Sequence, residues 1–275
     1  MIDNSLINIT FKDITMKKLL LASLITGASF AASADVLTFD DSSFNGTAGS
    51  EVVFDFIDYD TDFAEATQTD SDMNGNITVN EAFTENGSTD IVNFKLGQTL
   101  LGVDAAYEVF YNYSFAGMAE TVVKPSGIRE LSVTFDTGAS GLYIDNTIVG
   151  NNQYDGGTQI ASFGLNFGGC EILRSGPLEN KGFCVIDLTV DFAAGYFFDK
   201  NGTDLSTTPG KKSAELIVTV QDIFGLNFNY DEIGGTQDFQ IAHDGNMTFN
   251  VPEPASIAIL GLGLLGFAGA RRRKA

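Results

Sequence analysis

Residues Asp70-Ser71-Asp72-Met73-Asn74-Gly75-Asn76-Ile77-Thr78-Val79-Asn80-Glu81 place oxygen donors at the spacing that a calcium ion needs. Ca²⁺ takes about six to eight hard oxygen ligands wrapped round one point. Asp70, Asp72 and Asn74 alternate and supply side-chain oxygens, and Gly75 permits the sharp turn that follows. Asn76 offers its backbone carbonyl, and Glu81 binds with both carboxylate oxygens at the twelfth place. These five residues are the expected ligands. A second stretch, Val133-Thr134-Phe135-Asp136-Thr137-Gly138-Ala139-Ser140-Gly141-Leu142-Tyr143-Ile144, runs an apolar strand into an acid. Hydrolysis at such an acid needs a second carboxylate to share its proton. No other Asp-Thr-Gly or Asp-Ser-Gly occurs in the chain. Asp136 therefore reads as a structural residue at a turn between two strands. The single histidine, His243, lies in Ile241-Ala242-His243-Asp244-Gly245-Asn246, which reads as a strand end and a turn. One histidine gives no histidine-based zinc site, and no nucleophile is marked for a triad. The expectation is a protein that is not an enzyme.

The twelve-residue stretch resembles the calcium loop of EF-hands. That resemblance implies a weak structural clip of the kind found in extracellular modules. Residues 62–69 and 82–86 leave room for only one or two helical turns on either side. The Asp136 segment resembles the active-site strand of aspartic proteases. The alternative it implies is a dimeric protease using Asp136 from each copy.

The elements that must position these groups are strands. Apolar and aromatic segments recur at residues 52–57, 91–96, 107–115, 131–135, 142–144, 160–167, 183–192, 216–220, 224–230 and 239–241, separated by Gly, Asn, Asp and Ser. Residues 107–115 alternate with a period of two, as do Leu131, Val133 and Phe135 against Ser132 and Thr134. No long helical period appears between the ends of the chain. Ten short strands with turns between them predict an all-β fold, an antiparallel β-sandwich. Tyr111 and Tyr113 share one face of their strand. An exposed pair there would make an aromatic platform for sugars, so an extracellular carbohydrate-binding module is a further alternative. The two cysteines, Cys170 and Cys184, flank successive strands, and an exported chain with two cysteines most often pairs them. Closing a loop of about fifteen residues stabilises by about 3 kcal/mol through lost chain entropy.

Both ends read as targeting segments. Met16-Lys17-Lys18 opens a secretory signal, an apolar stretch follows at 19–32, and cleavage is expected between Ala34 and Asp35. Met16 reads as the start, and residues 1–15 as a mis-called extension ahead of the signal peptide at 16–34. Residues 35–250 form the extracytoplasmic domain. Of 15 Lys and Arg and 36 Asp and Glu, residues 35–254 keep eight and thirty-four, a net charge of 8 − 34 = −26. Such a field repels nucleic acid and attracts cations. Disorder is not expected, because 23 Phe and 8 Tyr supply a core.

Residues 251–275 read Val251-Pro252-Glu253-Pro254, then an uncharged run at 255–270, then Arg271-Arg272-Arg273-Lys274-Ala275. A helix over that run is roughly 24 Å long, short of the roughly 30 Å bilayer core, and the basic cluster marks its cytoplasmic end. This arrangement resembles the PEP-CTERM sorting signal. The resemblance implies recognition of Pro252, Glu253, Pro254 and the Arg271–Arg273 cluster by an exosortase. It also implies transient anchoring through a transmembrane helix at 255–270, then release to the cell surface or biofilm matrix. Residues 142–145 and 194–199 resemble segments of flocculation-associated PEP-CTERM proteins, which implies a structural, adhesive or aggregation role with exopolysaccharide as the expected partner.

Overall fold

The computed structural model describes residues 35–73, 81–123, 129–145, 154, 156–173, 180–226 and 233–251. The compact unit that contains them begins at Asp35. The expected signal helix at 16–34 and membrane helix at 255–270 lie outside the described residues. Among those described, no helix is long and apolar enough to cross a membrane, and the helix α1 spans only Ser42–Asn45.

The architecture is all-β, but it is a closed barrel and not the expected sandwich. Eight antiparallel strands form the wall: β3 (Phe56–Thr69), β4 (Glu81–Leu96), β6 (Glu108–Val123), β7 (Arg129–Asp145), β8 (Thr158–Leu173), β9 (Lys181–Phe192), β11 (Lys212–Phe224) and β12 (Thr236–Asn250). Their order is β3-β12-β11-β9-β8-β7-β6-β4, and the β3–β4 pairing closes the circuit. The short β5 (Thr99–Leu100) extends β4 as a hairpin. A separate three-stranded sheet orders β10 (Phe197–Asp199), β1 (Leu37–Asp40) and β2 (Glu51–Phe54).

The physical reason for the difference is strand length. Segments that read as separate short strands are single long ones carried through bulges. Residues 131–135 and 142–144 both belong to β7, and the β6–β7 register shifts where Gly117 faces Phe135 and Ala116 faces Thr137. Asp136 is the extra residue at that bulge and points to solvent. It is not at a turn. Gly138 follows not because the chain reverses but because the Phe115 ring occupies the place of a Cβ. A small residue under an aromatic ring is the use of a strand glycine that turn statistics conceal. Likewise the 241–246 segment continues inside β12, with a register shift between His243 and Gly245. Long strands coil, and an eight-stranded sheet can close on itself with an interior just wide enough for side chains to fill.

The interior is that core. Leu131, Val133, Phe135, Ile186, Leu188, Leu216, Phe239 and Ile241 are all buried, while the alternate positions Glu65, Thr84, Thr134, Glu215 and Gln240 face out. This apolar-in, polar-out alternation is the reverse of a barrel whose outer face meets lipid. One end of the barrel is plugged by rings from the small sheet. Phe39 stacks on Phe94 at 5.5 Å, Phe54 lies 6.0 Å from Phe249, and Phe197 lies 4.8 Å from Phe192. β4, β9 and β12 all end at this plugged pole. The connections after β3, β6, β8 and β11 leave from the opposite pole.

Candidate functional site

The calcium stretch lies at that opposite pole, on the connection from β3 to β4. Strands, not helical turns, flank it on both sides. The strand pair brings position one and position twelve together. Asp70 and Glu81 are both buried, Asp72 is exposed, and one carboxylate oxygen from each lies within 4.8 Å of the others. Backbone donors steady the arrangement. Ser71 N–H donates to Glu81 Oε2 at 2.7 Å, and Gly234 N–H donates to Asp70 Oδ2 at 2.9 Å. Asp70 N–H in turn donates to the Gly235 carbonyl at 3.0 Å, tying the loop to the start of β12. Three carboxylates gathered on an already negative chain repel one another, and a hard divalent cation relieves that repulsion. The donors are all oxygen, which suits Ca²⁺. Asn74 and Asn76 fall outside the described residues.

Cys170 and Cys184 face each other across β8 and β9 and form a disulfide, with their Cα atoms 4.0 Å apart. Both are buried. Asp35 is described, and its backbone N–H donates to the Phe249 carbonyl at 3.0 Å. Its carboxylate accepts the Val251 N–H at 2.6 Å. Ala34, Pro252, Glu253, Pro254, Arg271, Arg272 and Arg273 lie outside the described residues.

Tyr111 and Tyr113 do not form a surface platform. They stack on each other inside the barrel at 5.6 Å, and Tyr113 stacks on Phe115 at 5.4 Å. The reason is the β6 period, which puts both on the face of Val109 and Phe115. There they join a polar chain that sequence reasoning missed. Tyr113 Oη lies 3.2 Å from Glu85 Oε1 and 2.7 Å from His243 Nε2, and Tyr111 donates to Ser140 Oγ at 2.8 Å. The Tyr59 ring meets His243 edge-on at 5.7 Å. His243 Nδ1 has no hydrogen-bond partner among the described residues. Burial pushes the Glu85 carboxyl up to about 7, partly offset by the Tyr113 hydroxyl that donates to it. Burial pushes His243 down to about 4. The phenols of Tyr59 and Tyr113 are held well above their usual range, burial being the first cause in each. The signal that could have found this chain is parity. Glu85 shares its face with Phe83, and His243 with Ile241, so each belonged to the core once its strand was known to run on.

The profile of the PEP-CTERM protein-sorting motif matches residues 250–274. No curated protein and no solved structure matches the chain. Asn250 and Val251, the first two matched residues, are the ones that leave the plugged pole. The chain therefore carries a PEP-CTERM sorting motif at its C-terminal end, which supports processing by an exosortase and export to the cell surface or the extracellular space.

Proposed function

We propose that the chain is a structural protein of the cell surface or matrix, not an enzyme, with an adhesive or aggregating role. One Ca²⁺ clips the β3–β4 connection. The observation that carries this reading is the convergence of Asp70, Asp72 and Glu81 at the pole opposite the sorting motif. Asn74 and Asn76 complete the set by their place in the twelve-residue spacing. The bound ion offsets the crowding of three carboxylates and holds the β3–β4 connection against the start of β12. The barrel presents that pole on a rigid wall. Exopolysaccharide is the surface partner this role implies.

The test joins stability to function. With Ca²⁺ at ten times its dissociation constant, binding to the folded state alone adds about 1.4 kcal/mol. The midpoint of thermal unfolding should therefore rise in millimolar Ca²⁺ relative to chelator. Glu81→Gln should abolish most of that rise, since it removes a charge and a two-oxygen ligand together, whereas Asn80→Ala should keep it. A strain lacking the chain should aggregate less, with rescue by the parent and not by Glu81→Gln. Equal midpoints in both buffers would remove the calcium site, and undiminished aggregation without the chain would remove the adhesive role.

Processing has its own measurement. The form released at the surface should end near Pro254, as read by mass spectrometry. Recovery of released protein still carrying Arg271 would contradict cleavage there.

A further inference from the structure

The barrel begins and finishes at one place. Asp35 grips the Phe249 carbonyl with its N–H and the Val251 N–H with its carboxylate, so both ends of the domain are fastened at the plugged pole. Val251 is itself buried, and the chain is anchored to the barrel up to that residue. Ala255, where the uncharged run of the sorting motif starts, comes only four residues after Val251. Four residues reach at most about 14 Å in any conformation. A chain whose 255–270 run is inserted in a bilayer therefore holds this pole within about 14 Å of the lipid surface.

The pole has an apolar rim suited to that position. Leu96, Leu100 and Leu101 on the β4–β5 hairpin are 38 %, 61 % and 43 % exposed, and Val36 is 39 % exposed. The hairpin is tied beside the chain ends. Asp55 N–H donates to the Lys95 carbonyl at 2.8 Å, and the Asp55 carboxylate accepts the Gly97 N–H at 2.9 Å. Asp55 directly follows Phe54, which pairs with Leu37, the neighbour of Val36. Residues 96–103 carry no charge, in a domain with a formal charge near −26. Elsewhere such a negative surface disfavours approach to anionic lipid, but this hairpin tip does not.

We propose that the plugged pole is a membrane-docking surface of the uncut chain, with the hairpin 96–101 and Val36 resting on the lipid interface beside the inserted run. Its partner is a lipid surface, and electrically neutral headgroups suffice. Docking aims the opposite pole outward. Thr69, which leads into the calcium stretch, pairs with Thr236, fourteen residues along β12 from Asn250. That is roughly 45 Å of strand at about 3.3 Å per residue. Release of the tail then frees the leucine rim together with the rest of the domain.

The proposal rests on insertion of the 255–270 run, and the experiment separates the two. The full-length chain is reconstituted in phosphatidylcholine vesicles containing a lipid-borne quencher. A fluorescent label is attached at Leu101→Cys or, on the far pole, at Met73→Cys. Flotation with the vesicles reports insertion, and quenching reports docking. The label at 101 should be quenched at least several-fold more than the label at 73. Leu96→Ser with Leu100→Ser should lower quenching at 101 severalfold while flotation persists. Flotation with equal quenching at the two positions overturns docking and leaves insertion standing. Quenching at 101 unchanged by the two serines overturns the role of the hairpin. Loss of flotation in the parent overturns both.

Discussion

His243→Gln should lose about 3 kcal/mol of stability relative to the parent as pH rises from 4 to 6.5, and Glu85→Gln should gain about as much from pH 4.5 to 7. The signs follow from the two buried groups on either side of Tyr113. Glu85 has a folded value of about 7 against an ordinary 4.5. Its contribution is fully present below 4.5 and is lost as pH rises through 7. His243 has a folded value of about 4 against an ordinary 6.5. Its contribution is present above 6.5 and is lost as pH falls through 4. A change of that size corresponds to about 3 kcal/mol in each case. Between 4.5 and 6.5 the two slopes oppose and cancel, so in the parent this buried pair adds almost no pH dependence. Removing one partner exposes the other's slope. The readout is the difference from the parent in unfolding midpoint at each pH, about 6–12 °C across the window for a domain of this size. Asp62, Asp90 and Asp244, which burial also pushes up, are present in all three proteins and drop out of the difference. So does the pH-independent cost of the lost contact to Tyr113. Differences that stay constant from pH 4 to 7 would show that the pair does not titrate as described.

Gly245→Ala should cost about 3 kcal/mol or more, with a fall in midpoint of about 6–12 °C. A Cβ there would stand 2.5 Å from the Ile217 carbonyl oxygen on β11, against the hydroxyl and ring of Tyr59. The carbonyl belongs to the paired strand and cannot swing aside as a side chain can. The Tyr59 ring would have to move off its place against His243, so the damage reaches the interior chain. Gly164 is the internal control, because a Cβ there meets nothing within 4 Å. Gly164→Ala should change stability by less than about 0.5 kcal/mol. Midpoints for the two variants that fall together would show that the space under Tyr59 is not what holds Gly245 in place.

Local pattern was legible and closure was not. The period-two run from Tyr107 to Phe115 marked the strand that becomes β6, but not that the face of Tyr111 and Tyr113 turns inward. What misled was glycine and acid inside strands. Asp136-Thr137-Gly138 and Asp244-Gly245-Asn246 have turn composition, yet each sits at a bulge in a strand that runs on beneath an aromatic ring. Breaking those strands gave ten short segments, and short segments predict a sandwich. The β3–β4 pairing that closes the barrel depends on curvature accumulated over eight strands, which no local window holds. The convergence of Asp70, Asp72 and Glu81 was legible because all three lie within one continuous stretch. The Glu85–Tyr113–His243 chain was not, because its members come from three strands up to 158 residues apart and meet only in the folded interior.

The exit of the chain from β12 has a mechanical consequence. β12 is hydrogen-bonded along nearly its whole length to β11 on one side and β3 on the other, and it runs from the pole of Asp70 and Glu81 to the first residues of the sorting motif. Tension between those poles acts along the strand, so it loads both ladders in shear, with many hydrogen bonds sharing the force. Tension between Asp35 and Val251, which sit together, first loads the bonds from Asp35 to Val251 and to Phe249 and peels the chain a bond at a time. The same barrel is thus stiff along its axis and weak across its paired ends, and the direction of pull decides how it yields.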